Sequence, residues 1–151
     1  SAEPLRGGLL MRKYESFRVQ ALLMITGGNR FRRCGIVKYR IGKEILHVRF
    51  RSGLPQRATG FWFNINPNTL NNTTHEVWIC GRPDVYHLVP IEIVQMMYDD
   101  PGAYPDRAHA EIKVMTVIPC RQMVQYAPGK SLDLVPYFKG RLKAGRSAAG
   151  P

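Results

Sequence analysis

The spacing of hydrophobic and polar positions changes several times along the chain, and each change marks an element. Tyr14, Phe17, Ala21, Leu22 and Ile25 recur at steps of three and four, which predicts an amphipathic helix over residues 12–26. Gly27-Gly28-Asn29 then supplies the residue types that end a helix in the left-handed conformation. Residues 32–41 alternate, Gly42-Lys43 offers a tight turn, and residues 44–50 alternate again, with Ile45, His47 and Arg49 opposite Leu46, Val48 and Phe50. Two alternating runs around a two-residue glycine turn predict a β-hairpin. The aromatic and β-branched run at residues 61–65 suits a third strand. Residues 67–74, rich in Asn and Thr, are expected to be a loop. A second hairpin is predicted from residues 76–80 and 85–89 around Gly81-Arg82-Pro83-Asp84. Pro90 introduces a helix over residues 91–98, which Asp99-Asp100-Pro101-Gly102 ends. A further strand over residues 111–118 and a short closing helix over residues 132–142 complete the reading.

This order predicts a single α+β domain: an N-terminal helix, then a mostly antiparallel or mixed β-sheet with flanking helices. A chain of 151 residues is large enough to bury a core without metal or disulfide staples. Residues 1–8 are mostly small or polar and end in glycine, so residues 1–10 read as a flexible leader before Met11, residues 11–140 as the domain, and residues 141–151 as a basic flexible tail. No apolar run approaches the roughly 18–20 residues that cross a bilayer, and no membrane partner is expected. Cys34, Cys80 and Cys120 are odd in number and lack a C-x-x-C spacing. They predict buried structural thiols in a reducing, cytoplasmic setting and no disulfide framework. His47, His75, His87 and His109 do not fall at metal-ligand spacings, so no metal site and no resident cofactor are expected.

Charge changes the picture. Lys and Arg number 22 against 11 for Asp and Glu, for a net charge of +11. Self-repulsion at that charge is relieved by a polyanionic partner, DNA or RNA. The cations have an address. Arg30, Arg32, Arg33, Lys38, Arg40, Lys43, Arg49, Arg51 and Arg57 lie in one segment whose only acid is Glu44. On a hairpin, Lys38 and Arg40 share one face of their strand, and Arg49 and Arg51 share one face of the next. Coincident faces would form a stripe that follows a phosphate backbone, with arginine forks binding oxygens in pairs. Phe31, Tyr39, Phe50, Phe61 and Trp62 interleave with the charge. They are read chiefly as core, with stacking on unpaired bases as the other use of such rings.

The element order resembles the restriction-endonuclease-like fold of the PD-(D/E)xK nucleases. The features that carry the likeness run from Arg12 to about Leu142: a first helix, then a hairpin whose second strand ends His47-Val48-Arg49-Phe50-Arg51-Ser52. The aromatic strand at residues 61–65 and Val77-Trp78-Ile79-Cys80 follow, and Tyr86-His87-Leu88-Val89-Pro90-Ile91 leads into a helix. The resemblance implies carboxylates on the first strand pair and a (D/E/Q)-x-K on the next, holding Mg²⁺ beside a water-activating lysine. Here His47-Val48-Arg49 takes the place of that motif, and Gly35-Ile36-Val37-Lys38-Tyr39-Arg40 has no acid.

The resulting expectation is a nucleic-acid-binding domain of nuclease-like layout without a complete metal site, which favours binding over catalysis. An active Mg²⁺-dependent nuclease is the alternative. It would draw on Glu15 as a supporting acid and on the literal PD…E-x-K formed by Asp84, Glu111 and Lys113, although the helix at residues 91–98 intervenes. A third reading is a structural component of a nucleoprotein assembly, neutralising polyanion with a basic tail over residues 139–146. An open strand edge at residues 61–65 would also offer a route to a homodimer.

Overall fold

The apolar stripe of the first helix finds its partner in a five-stranded sheet. The computed structural model describes residues 2–143, in which α1 spans Ala2–Thr26. Ala21, Leu22 and Ile25 are fully buried, while Tyr14 and Phe17 pack on Phe50 with ring centroids 5.0 and 4.8 Å away. The helix also continues back through residues 2–10, where composition predicts a leader; helical hydrogen bonding extends past the packed stripe. Its end has the geometry the glycines foretell. Gly27 is left-handed (φ 62°), and the amides of Gly27 and Gly28 donate to the Met24 and Leu23 carbonyls, closing a Schellman motif.

The strand expected over residues 32–41 is instead two strands, β1 (Arg32–Arg33) and β2 (Lys38–Ile41). The chain turns at residues 34–37, where the Cys34 amide donates to the Lys38 carbonyl at 2.9 Å. Gly42 (φ 58°) supplies the left-handed residue of the two-residue turn into β3 (Glu44–Arg51). β4 (Phe61–Ile65) follows. The predicted Asn-rich loop then contains a short helix, α2 (Pro67–Asn72), because Asn66 caps it by accepting from the Asn68 amide and Pro67 fits the first turn. The second hairpin forms as predicted from β5 (His75–Cys80) and β6 (Tyr86–Pro90), and α3 spans Ile91–Tyr98.

The predicted closing helix is absent. β7 (Lys113–Ile118) leads instead through a 3₁₀ turn at Pro119–Arg121 into an antiparallel pair, β8 (Met123–Ala127) and β9 (Lys130–Asp133), turning at Pro128-Gly129, and a second 3₁₀ turn follows at Val135–Tyr137. The tail expected from residue 141 begins docked, continuing from residues 139–140: the Lys139 amide donates to the Tyr86 carbonyl, Tyr86 Oη to the Gly140 carbonyl, and the Leu142 amide to the Ile25 carbonyl. The rest of the predicted tail, residues 144–151, lies outside the described residues.

Two sheets result. One has the order β1-β2-β3-β5-β6, antiparallel except where β3 runs parallel to β5; the other is the antiparallel series β4-β7-β8-β9. The molecule is thus a single small α+β domain with two cores. Leu46, Val48, Val77 and Ile79 meet α1 on one face of the first sheet. Trp78, Cys80 and Val89 on its other face meet Phe61, Phe63 and Met115 of the second sheet and Val94 and Met97 of α3. Among the described residues no helix is long and apolar enough to cross a membrane.

Candidate nucleic-acid interface

Strand alternation places the cations. Tyr39 and Ile41 of β2 and Leu46 and Val48 of β3 are turned to α1, so Lys38, Arg40, His47, Arg49 and Arg51 stand on the opposite face. Arg32 pairs directly with Arg40 across β1 and β2 and joins the same face. The two strand faces therefore coincide, and the stripe is formed by Arg32, Lys38, Arg40, Arg49 and Arg51. The other four cations of the segment do not line it in the same way. Arg33 pairs with Tyr39 on the helix side, its Nε donating to the Gly35 carbonyl at 2.9 Å. Lys43 sits in the hairpin turn, Arg30 in the loop before β1, and Arg57 in the loop before β4.

β3 is the middle strand of the five-stranded sheet, and across a gap from it lies β4, an edge strand of the second sheet with its outer edge unpaired by any strand. Arg49 and Arg51 fill that gap. Arg49 donates from Nη1 to the Asn64 carbonyl, and Arg51 from Nε to the Trp62 carbonyl at 2.9 Å. Two carbonyls of the edge suggested for dimer formation are thereby engaged within the chain. Arg49 also lies 5.7 Å above the Phe63 ring, and burial pulls its guanidinium below the ordinary arginine value, with Glu76 acting the other way. Arg57 covers Phe61 at 4.2 Å and donates to the Gly60 carbonyl at 2.8 Å. These three arginines consequently do structural service with one donor each and keep the others.

Beneath the stripe lies a carboxylate that sequence reasoning treated only as the start of a strand. Glu76 on β5 is 0 % exposed. Lys38, His47 and Glu76 are register neighbours across β2, β3 and β5, forming one row. His47 Nδ1 lies 2.5 Å from one Glu76 oxygen, and Trp78 Nε1 donates to the other at 3.0 Å. A buried carboxylate with both oxygens bonded is tolerated where an unpaired one is not. The signal in the sequence was the acid at an inward position of a β-branched and aromatic strand.

Comparison with known proteins adds no relative. No family model matches the chain, and neither the curated proteins nor the solved structures include one that matches it.

The acids of the nuclease alternative stay apart. Glu15 on α1 accepts from Tyr39 Oη at 2.6 Å and Arg18 at 2.9 Å. Burial pushes its carboxyl upward, but those two hydrogen bonds outweigh it and hold it below the ordinary value. Asp84 sits in the β5–β6 turn, where Arg82 donates to both its oxygens at 3.1 and 2.9 Å and keeps its carboxyl low. Glu111 precedes β7, exposed, 3.8 Å from His109, and Lys113 opens that strand in the other sheet. Among the described residues no group of three or more His, Cys, Asp or Glu is placed to hold a metal ion.

One further expectation is corrected, and another holds with one exception. Cys80 is buried and its thiol is pushed up by desolvation, but Cys34 and Cys120 are exposed, so only one thiol is a core residue. Four of the interleaved aromatics do serve the core: Tyr39 and Phe61 are buried, and Phe31 and Phe50 pack against the helix-side cluster. Trp62 is the exception, 65 % exposed on the solvent face of β4.

Proposed function

We propose that this chain is a nucleic-acid-binding domain that contacts the sugar-phosphate backbone through the cationic face of β1, β2 and β3. The observation that carries the reading is the gathering of Arg32, Lys38, Arg40, Arg49 and Arg51 on one sheet face, where Glu76, in register with His47 on the adjoining strand, is buried and bonded. Five like charges on neighbouring strands repel one another, and a polyanion relieves that cost while releasing its own counterions. The likeness to PD-(D/E)xK nucleases enters as a scaffold without its metal site: β2 and β3 carry cations where that family places acids.

Salt dependence tests the reading. Affinity for DNA or RNA should fall steeply with salt, and Arg32→Gln and Lys38→Gln should each weaken binding alike on all sequences. Each should also reduce the slope of log affinity against log salt by about one. Neither residue holds a β4 carbonyl, so their loss separates phosphate contact from folding in a way that replacing Arg49 or Arg51 does not. A slope unchanged by both substitutions places the phosphates elsewhere.

A further inference from the structure

Beyond the stripe, the cationic surface turns into a cleft of about 900 Å³ at the end of β3 and along β4. Arg51, Arg57 and Arg107 line it with Trp62, Asn64 and Asp106. The volume lies in the range of pockets that enclose small ligands, but the lining is not that of an apolar pocket. Three guanidinium groups share the lining with one indole, and the single acid is partly engaged by its own loop: Asp106 Oδ2 accepts the amides of Ala108 and His109 at 3.0 and 3.2 Å.

Trp62 has no structural reason to stand there. On β4 the odd positions Phe61, Phe63 and Ile65 are buried and the even positions Trp62 and Asn64 are exposed. The solvent slot of an outer strand ordinarily takes a polar residue, and a bare indole in water forgoes its burial energy of roughly 2 kcal/mol or more. Its position is nonetheless fixed. The strand that carries it is held on one side by β7 and on the other by Arg51, whose Nε binds the Trp62 carbonyl itself. Arg57 is likewise held at Gly60 and over Phe61. Anchored by one donor apiece, both arginines keep donors beside the indole for a ligand without a large ordering cost.

A flat π-surface beside three guanidinium groups, two of them held in place, matches one chemistry, an aromatic ring joined to phosphates. We propose that the Trp62 cleft is a single-strand subsite: an unpaired base stacks on the Trp62 indole while its flanking phosphates bind Arg51, Arg57 and Arg107. A base inside a duplex does not offer its face to such a platform, so the cleft selects unpaired nucleotides from the DNA or RNA that the stripe attracts. This assignment rests on the phosphate-binding reading above and adds to it a preference for the unpaired base.

Binding of four labelled probes to the whole chain tests it: a single-stranded oligothymidylate, the matching oligouridylate, an abasic strand of equal length and charge, and a duplex. The base-bearing strands should bind roughly ten-fold tighter than the abasic strand, the effect of one good stacking contact. They should also quench indole fluorescence, which the abasic strand should not. Trp62→Ala should erase the ten-fold difference and leave abasic binding unchanged, while Trp62→Tyr should retain most of it. A response to oligouridylate alone or to oligothymidylate alone assigns the subsite to RNA or to DNA. Equal binding of base-bearing and abasic strands, with Trp62→Ala silent, overturns the stacking subsite and leaves phosphate binding standing. Absence of salt-sensitive binding by any probe overturns both.

Discussion

The two tryptophans belong to neighbouring aromatic strands and meet opposite fates. Trp62 on β4 is 65 % exposed, whereas Trp78 on β5 is 0 % exposed and stacked at 5.8 Å on Phe63. Position in the layers makes the difference. β5 is an interior strand with α1 on one face and the second sheet on the other, so both Trp78 and Ile79 are covered. β4 belongs to the outer sheet, and only its odd positions reach the core. The same side chain is thus a stability element in one strand and, in the subsite proposed above, a binding surface in the other. Truncation separates the roles most sharply. Trp78→Ala should destabilise the fold by about 4 kcal/mol, through the cavity it leaves. Trp62→Ala should change stability by no more than about 0.5 kcal/mol. Urea unfolding of both variants checks the contrast, and equal losses would mean that the outer face of β4 is covered.

The next largest effect concerns the polar side of the buried strand. Removing Glu76 leaves Trp78 Nε1 and His47 Nδ1 without the partner each has now. Glu76→Ala should therefore cost about 3 kcal/mol, the penalty of stranding buried polar groups. Glu44→Ala on the adjoining strand provides the solvent-side comparison. Its carboxylate is only part-buried and 3.7 Å from His75, so its loss should stay within about 0.5 kcal/mol. Thermal or denaturant unfolding measures both, and a Glu76→Ala variant as stable as the parent would remove the buried network from the account of this core.

How much of this was legible depends on the physics each feature uses. The α1 stripe, the β2–β3 turn at Gly42-Lys43 and the exact span of α3 follow from local periodicity and turn chemistry, and the α+β class follows from their order. Nearest-neighbour rules also contained two features that the pattern reading passed over: the Asn66-Pro67 start of α2 and the Pro128-Gly129 turn between β8 and β9. The coincidence of the cationic faces needed only strand alternation and a correct hairpin register. The remainder needed tertiary placement. Nothing in Phe61-Trp62-Phe63 says that the middle ring faces water, because a bulky apolar residue fits either side of a strand in the absence of its neighbours. Arg49 and Arg51 look like surface cations in sequence, yet their donors bind an edge strand from a different sheet. Glu76 gains its meaning from His47, 29 residues earlier, through a parallel pairing that no local pattern encodes.

The smallest effect extends the comparison to protons. His87 on β6 is fully buried, with Nε2 2.8 Å from Gln122 Oε1 and its ring 5.3 Å from Phe138. Burial holds it below its ordinary value of 6.5, the Gln122 hydrogen bond only partly opposing this, and His75 is lowered in the same way by desolvation. A depressed histidine binds its proton less well in the folded chain than in the unfolded one, so the unfolded state takes up more protons as pH falls below 6.5. Stability should be fully present above that value and decline as pH drops toward the folded-state values of the two histidines. The carboxylates act in a separate, lower window. Glu15 is held below its ordinary value of 4.5, with Arg18 and Tyr39 outweighing desolvation, so its contribution is present above 4.5 and lost as pH falls further. Replacing His87 by Gln keeps an amide donor toward Gln122 and removes the titration. The His87→Gln variant should show a flatter stability profile between about pH 7 and about pH 5 than the parent, with the carboxylate limb unchanged. Denaturant midpoints across that range measure it directly. Parallel profiles for parent and variant would mean that His87 keeps a solvent-like proton affinity, and with it that the β6 face is less sealed than the Trp78 core beside it.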